Sequence, residues 1–306
     1  MSVDTKFLFA MMALRRVNRF GERKMFDLAP EVMKMFDEGD ISPSSLYQLS
    51  NRDTISPRCT ITEITTWLEE SQTECEEWAK DGIKVTTAYS ADYPSLLKEI
   101  PTHPFFFYYK GDIAPLSQNN IAIVGTREPT SGGRRQAKSI GKELVKEGYG
   151  IVSGLALGCD TAGHEGALDG KGYTCAILAH GLDIITPAKN RELAARILEN
   201  GGALVSEHKP GVPPTRRYYA MRNRIQSALS SHVLVIETTV TGGTMHTARF
   251  AVEQKRPLGV LNLPTTDDGN LFVEAVGEIK ETLSGIVLTC MDEVLSFVRS
   301  DTSEEE

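Results

Sequence analysis

Ten basic side chains fall into two short runs of the sequence, and both runs lie beside glycine-rich stretches. Residues 121–142 carry Arg127, Arg134, Arg135, Lys138 and Lys142 against one acid, Glu128. Residues 209–224 carry Lys209, Arg216, Arg217, Arg222 and Arg224 with no acid, and Tyr218 and Tyr219 sit among them. Guanidinium forks bind phosphate oxygens in pairs, and tyrosine rings offer flat apolar faces. The glycines belong to "VGTREPTSGGRRQ" (124–136), "SGLALGCDTAGHEGAL" (153–168) and "TTVTGGTMHTA" (238–248). Dense glycine after an apolar run brings backbone N–H groups close to a ligand, and the start of a helix favours an anion there. Taken together, these residues predict a phosphate-binding surface.

The same loops exclude the common nucleotide motifs. No Lys-Ser or Lys-Thr directly follows Gly133, so this is not a P-loop, and Gly125, Gly132 and Gly133 do not have dinucleotide-binding spacing. Acid–base candidates are isolated. His164 stands alone on a predicted helix, where a histidine is more often structural than a base. Asp160 fits the cap of that helix better than it fits a proton donor. Glu237 closes a strand, placed to hold either a ribose hydroxyl or a loop amide. Ser153 and Ser206 have no histidine–carboxylate partners in the pattern. The expectation is therefore no catalytic residues, no cofactor and no metal ligands.

Parallel strands and their connecting helices must position these loops. Apolar runs at 121–124, 150–153, 174–179, 203–206, 232–237 and 258–263 alternate with helical patterns such as "RRQAKSIGKELVKEG", "NRELAARILENG" and "YAMRNRIQSALS". Continuous apolar strands separated by helices mean a parallel sheet covered on both faces. The predicted fold is α/β, a Rossmann-like doubly wound sheet, over 83–300, with a lead-in at 83–118. "GIVLTCMDEVLSF" adds one more strand and helix. Ahead of the sheet, 1–82 reads as a small helical domain: one amphipathic stretch broken at Gly21, a loop rich in Ser, Asp and Pro, and a long helix ending at Gly82. Helices meeting at Gly21 could touch a DNA backbone, but a small helical cap is the plainer reading. The aromatic run "PFFFYYKGD" suits a buried strand better than base stacking. Residues 301–306 read as an acidic tail.

Composition agrees with a soluble chain. Of 306 residues, 41% are hydrophobic and 24% charged. No apolar run reaches membrane length, and no basic segment precedes the first apolar stretch. Five scattered cysteines without a CxxC pair predict reduced thiols, a cytoplasmic location and no structural zinc. The net charge of −8 argues against a general nucleic-acid coat protein but leaves local basic surface open.

Several segments resemble one family. "DYPSLLKEIPTHPFFFYYKGD", "IAIVGTREPTSGGRRQA", "IVSGLALGCDTAGHEGAL", "LAHGLDIITPAKNRELAARILENGGALVSEHKPGVPP", "RNRIQSALSSHVLVIE" and "GGTMHTARFAVEQKRPL" are similar, in order and spacing, to the DNA-processing protein A family, also called Smf. The resemblance covers about residues 80–264. It implies a Rossmann-like domain, a sterile-alpha-motif-like helical N-terminus, homodimerisation and no catalysis. It also implies binding of single-stranded DNA in natural transformation or recombination and help in loading a RecA-type recombinase. The implied DNA-binding residues are Gly125, Thr126, Arg127, Arg134, Arg135, Arg222, Asn223 and Arg224. Ser153, Gly154, Gly158, Asp160 and His164 would form a groove floor, with Gly242 and Gly243 beside it. The sequence departs from the family at Leu157, where an arginine is usual, at Cys159, where an isoleucine is usual, and at Gly242–Met245. No winged-helix segment is expected after the sheet. Two other readings stay open: a nucleotide-sensing module and a nucleoside-monophosphate hydrolase. The second has a signature, PGGxGTxxE, of which this sequence keeps the two glycines, Gly242 and Gly243, without the Gly-Thr that follows.

Overall fold

The computed structural model describes residues 3–52, 54, 56–262 and 272–300. The chain divides into two units, Met1–Tyr93 with Pro104–Phe107, and Pro94–His103 with Tyr108–Glu306. The expected acidic tail and Leu263 lie outside the described residues.

In the first unit, helices α1 (Val3–Arg15), α2 (Glu22–Asp37), α3 (Pro43–Asn51) and α4 (Ile61–Lys80) precede strand β1 (Lys84–Thr87). Gly21 stands at the N-cap of α2, so the break predicted there separates two helices. The stretch taken as a loop contains α3. Ser42 and Ser45 form a reciprocal capping box and Pro43 opens the first turn, so residues that read as loop formers act as a helix start. Met11, Leu14, Met25, Leu28, Leu46, Ile64, Phe105 and Phe107 are fully buried in this unit. The phenylalanines of the aromatic run thus serve packing. Each such burial contributes roughly 1.5–3 kcal/mol.

The second unit continues through α5 (Ser95–Lys98), β2 (Phe106–Gly111, entering from the first unit), β3 (Asn120–Val124), α6 (Ser131–Lys146), β4 (Gly150–Ser153) and α7 (Cys159–Asp169). Then follow β5 (Thr174–Leu178), α8 (Arg191–Glu199), β6 (Ala203–Ser206), α9 (Arg216–Ala228), β7 (His232–Val235) and α10 (Thr244–Glu253). The chain ends with β8 (Leu258–Leu261), α11 (Val273–Thr282), β9 (Ile286–Leu288) and α12 (Met291–Arg299). Helix α11 had no counterpart in the sequence reading.

The strands pair in the order β1-β2-β6-β5-β4-β3-β7-β8-β9. β2 runs antiparallel to β6, and from β6 to β9 all pairs are parallel. Alternate residues of β3 serve opposite faces. Ile121 and Ile123 pack with α6, α7 and α12, while Ala122 and Val124 pack with α10 and α11. This is the doubly wound sheet expected from the continuous apolar runs. The chain leaves β3 toward β4, and returns from β6 to β7 on the other side of β3. The connections therefore reverse direction between β3 and β7, and a crevice opens at the carboxyl ends of those two strands.

Helices α6 and α7 touch at backbone level. A Cβ on Gly141 would collide with the carbonyl of Gly163, and one on Gly166 with the carbonyl of Lys138. Glycine at these positions is a packing requirement.

Candidate functional site

A cleft of about 550 Å³ occupies the crevice between β3 and β7. One wall is the turn after β3, Gly125 to Glu128, with Ala156 and Asp160 behind it. The other is α9, which presents Arg216, Tyr219, Ala220, Asn223 and Gln226 at helical spacing, and the segment Thr238–Thr247.

The turn after β3 is fixed by Glu237. Its carboxylate accepts hydrogen bonds from the backbone N–H of Thr130 at 2.8 Å and from Thr130 Oγ1 at 2.6 Å. Thr130 in turn caps α6 by accepting from the Gly133 N–H at 2.9 Å. Glu237 therefore holds a loop amide, the second of the two roles open to it from sequence. Gly133 is required because a Cβ there would meet the Glu237 carboxylate. Arg127 leaves this turn into solvent, and its guanidinium carbon lies 5.2 Å from the centre of the Tyr219 ring. That contact joins the two walls at the mouth.

The floor is built from the glycine stretch that follows β4. Asp160 does not cap α7, as expected from sequence; Gly158 occupies the N-cap with φ +83. The Asp160 carboxylate instead reaches back to the N–H groups of Gly154 (3.0 Å) and Ala156 (3.3 Å). The loop can turn back this way because Leu155 adopts a left-handed φ of 57 and Gly158 follows it. Asn190 secures the outside of the loop, donating to the Leu155 carbonyl at 2.8 Å and to Thr161 Oγ1 at 2.9 Å. Beneath lies Arg222, 4% exposed, which donates to the carbonyl of Ile177. A Cβ on Gly154 would fall within its guanidinium.

Arg222 and Asp160 form the electrostatic centre of the floor. Burial pushes the Arg222 pKa down to about 10, and Asp160 partly offsets that loss. Burial likewise raises the Asp160 pKa, opposed by Arg222 and by the two loop amides. Each ion makes the other's burial tolerable. Arg222 Nε has no hydrogen-bond partner among the described residues.

The structure gathers only some of the residues expected at the site. Gly125, Thr126, Arg127, Asp160, Arg222, Asn223, Gly242 and Gly243 line the cleft. Ser153 is buried behind it, its hydroxyl donating to the Ile123 carbonyl at 2.6 Å. Gly154 and Gly158 shape the floor loop. Arg134 and Arg135 are exposed on the first turns of α6, away from the cleft lining. His164 is fully buried, its Nδ1 2.7 Å from Thr174 Oγ1, and burial pushes its pKa down to about 3. Arg224 is 6% exposed and turned the other way. Its two terminal nitrogens hold Glu207 at 2.9 and 2.7 Å, and its Nε donates to the Thr102 carbonyl. Tyr218 stacks on His208 with ring centres 4.1 Å apart, which leaves Tyr219 as the ring in the cleft.

Sequence reasoning placed Arg216 in a basic cluster but did not assign Gln226, Thr244, His246 or Thr247 to the site. The 216–219–223–226 spacing on a single helix was the available signal for Gln226. Among the described residues no group of His, Cys, Asp and Glu is arranged to hold a metal ion. Among those residues no helix is long and apolar enough to cross a membrane.

Comparison with known proteins places this geometry. The family model described as DNA recombination-mediator protein A matches residues 84–295. DNA processing protein DprA of Bacillus subtilis is 34% identical over 233 residues, 75% of this chain and 78% of its own length. Protein Smf of a Synechocystis strain is 40% identical over 197 residues, and the match spans about half that relative's length (49%). The crystal structure of DprA from Streptococcus pneumoniae superposes with a TM-score of 0.71 at 24% identity, covering 94% of this chain and 96% of that one. DprA from Helicobacter pylori, whose structure concerns its single-stranded DNA binding mode, superposes with a TM-score of 0.60 at 28% identity, covering 70% and 94%. The sheet order, the glycine-rich floor and these matches agree: the chain belongs to the DNA recombination-mediator protein A family, whose members carry the names DprA and Smf.

Proposed function

We propose that this chain binds single-stranded DNA without chemically altering it, with phosphates held at the mouth of the cleft by Arg127 and Arg216. The observation that carries this reading is the Arg127–Tyr219 contact at the switch point between β3 and β7. It puts a cation and an aromatic face together where doubly wound sheets bind ligands. Gly242 and Gly243, just before α10, add backbone that a strand can approach closely.

The placement of the carboxylates supports the non-catalytic part of this reading. The acids lining the cleft are Glu128, exposed on the rim, and Asp160, already committed to two amides and Arg222. Neither is placed as a base toward a ligand. Protection of single strands during DNA uptake or recombination, a homodimeric state and hand-over to a RecA-type recombinase belong to the same reading. The family match and the single-strand-binding Helicobacter relative support it.

The test is a salt titration of binding to labelled oligothymidine and to a matched duplex, with the Arg127→Ala/Arg216→Ala double variant beside the wild type. Expected are preference for the single strand, a steep loss of affinity with salt, and a log–log slope shallower by about 2 in the variant. Absence of binding at low salt refutes the reading.

A further inference from the structure

The turn between α1 and α2 gathers cations on the helical unit. Arg15, at the end of α1, donates to the Phe20 carbonyl at 2.6 Å. The Arg58 guanidinium carbon lies 5.4 Å from the centre of the Phe20 ring, and Lys24 Nζ lies 5.9 Å from it. Arg19 precedes that phenylalanine, and Arg23 belongs to the first turn of α2. Arg15, Arg19, Arg23 and Arg58 are exposed. Among the described residues none of Arg19, Arg23 and Arg58 makes an ion pair. The acid within this run, Glu22, accepts from the Phe105 N–H at 2.8 Å. Arg16 stands apart from the group, because Glu70 and Glu74 hold it.

Five cations around one turn repel one another, and in a chain of net charge −8 such a group marks a place for an anionic partner. Its chemistry differs from that of the cleft. There Tyr219 offers a half-buried ring beside Arg127, which suits unstacked bases. Here the ring among the cations, Phe20, is 2% exposed, so no base can stack on it. Guanidinium groups without a stacking face contact phosphates alone. A duplex presents that surface, with its phosphates in two outer rows and its bases paired within. A protein partner would want an apolar centre to its contact, and none of the exposed large hydrophobic side chains falls within residues 15–24.

We infer that the α1–α2 turn binds the phosphate backbone of a nucleic-acid duplex through Arg19, Arg23 and Arg58, without reading its sequence. Arg15 and Lys24 add positive potential beside them. This is a second nucleic-acid surface, carried by the helical unit, and it stands whether or not the cleft takes single strands.

Anisotropy titrations of the full chain test the inference, using a labelled twenty-base-pair DNA dumbbell closed at both ends by short loops. The wild type is expected to bind it at about 50 mM salt, with a log–log salt slope of about −3 for three phosphate contacts. The Arg127→Ala/Arg216→Ala variant, whose cleft is disabled, should bind it equally. Arg19→Asn/Arg23→Gln should weaken dumbbell binding about tenfold and make the slope shallower by about 2, while oligothymidine binds as before. Asparagine is chosen because residue 19 has a left-handed φ of 69, which it tolerates. On unaltered protein the dumbbell should slow phenylglyoxal modification of Arg19, Arg23 and Arg58, read by mass spectrometry, and a twelve-residue oligothymidine should not. That measurement does not depend on any variant folding. The inference is overturned if the wild type does not bind the dumbbell, if the three arginines stay equally reactive in its presence, or if binding is lost in Arg127→Ala/Arg216→Ala. Displacement of the dumbbell by poly-glutamate of equal charge as readily as by unlabelled duplex also overturns it, and assigns the turn to an acidic protein segment.

Discussion

The guanidinium of Arg222 occupies the space that a side chain on Gly154 would need. The relationship explains a glycine whose backbone does not itself require one, since Gly154 is not among the residues of positive φ. The floor loop lies directly on a buried cation, and the cation is balanced by Asp160 from the first turn of α7.

Gly154→Ala should therefore destabilise the fold by about 2–3 kcal/mol, because one methyl group displaces a buried ion from its partner. Chemical denaturation of the variant against the wild type measures this. A change below 0.5 kcal/mol, about the size of an ordinary surface substitution, would contradict the placement of Arg222.

Acid should weaken the fold through His164. Its pKa in the native state is about 3 against 6.5 for the free side chain, so the unfolded chain takes up a proton that the folded chain refuses. The stability contributed by the neutral ring is complete above pH 6.5 and is lost as the pH falls toward 3. Between pH 6.5 and 5 the loss is about 2 kcal/mol at 1.36 kcal/mol per pH unit. Asp160, with its raised pKa, acts with the opposite sign, and a His164→Gln variant keeps that contribution. Urea unfolding at pH 7 and pH 5 should thus show a smaller acid loss in the variant than in the wild type.

Arg224 and Arg127 should separate stability from affinity. Arg224→Lys cannot reproduce the two-pronged grip on Glu207, and is expected to cost about 2 kcal/mol of stability with little change in oligonucleotide affinity for the folded protein. Arg127→Ala should do the reverse, lowering affinity roughly tenfold at low salt with a melting temperature close to that of the wild type. Parallel melting and anisotropy curves distinguish the two.

Removal of the Glu237 carboxylate should loosen the turn that carries Arg127. Glu237→Ala leaves the Thr130 amide and hydroxyl without their acceptor, and is expected to cost about 2 kcal/mol. Hydrogen exchange at Thr130 and Gly133 should rise selectively, because those amides begin α6.

Much of this fold could be read from the chain because its strands are apolar on both faces. Runs such as Ile121–Val124 leave no other placement than a sheet covered by helices, and the glycine loops then fall at the strand ends. The floor was harder to read. Asp160 looks like a helix cap in sequence, and only the reversal at Leu155 and Gly158 turns its carboxylate back toward Gly154. Arg222 and Arg224 sit in one Arg-Asn-Arg triplet, yet one faces the cleft floor and the other Glu207. Residues two apart on a helix point about 200° apart, and their partners lie far away in the sequence. Helix α3 was hidden for a different reason: Ser42, Pro43 and Ser45 are loop residues by composition and helix starters by order.

The glycine contact between α6 and α7 has a mechanical consequence. With Gly141 against Gly163 and Gly166 against Lys138, these helices meet at those two points through backbone, with no side chain there to slide or change rotamer. The turn bearing Arg127 and the loop bearing Asp160 hang from this pair, so one jaw of the cleft behaves as an anvil. Any change in gape falls to the opposite jaw, α9 with the segment before α10, and the Arg127–Tyr219 contact is the latch that such a movement must first release.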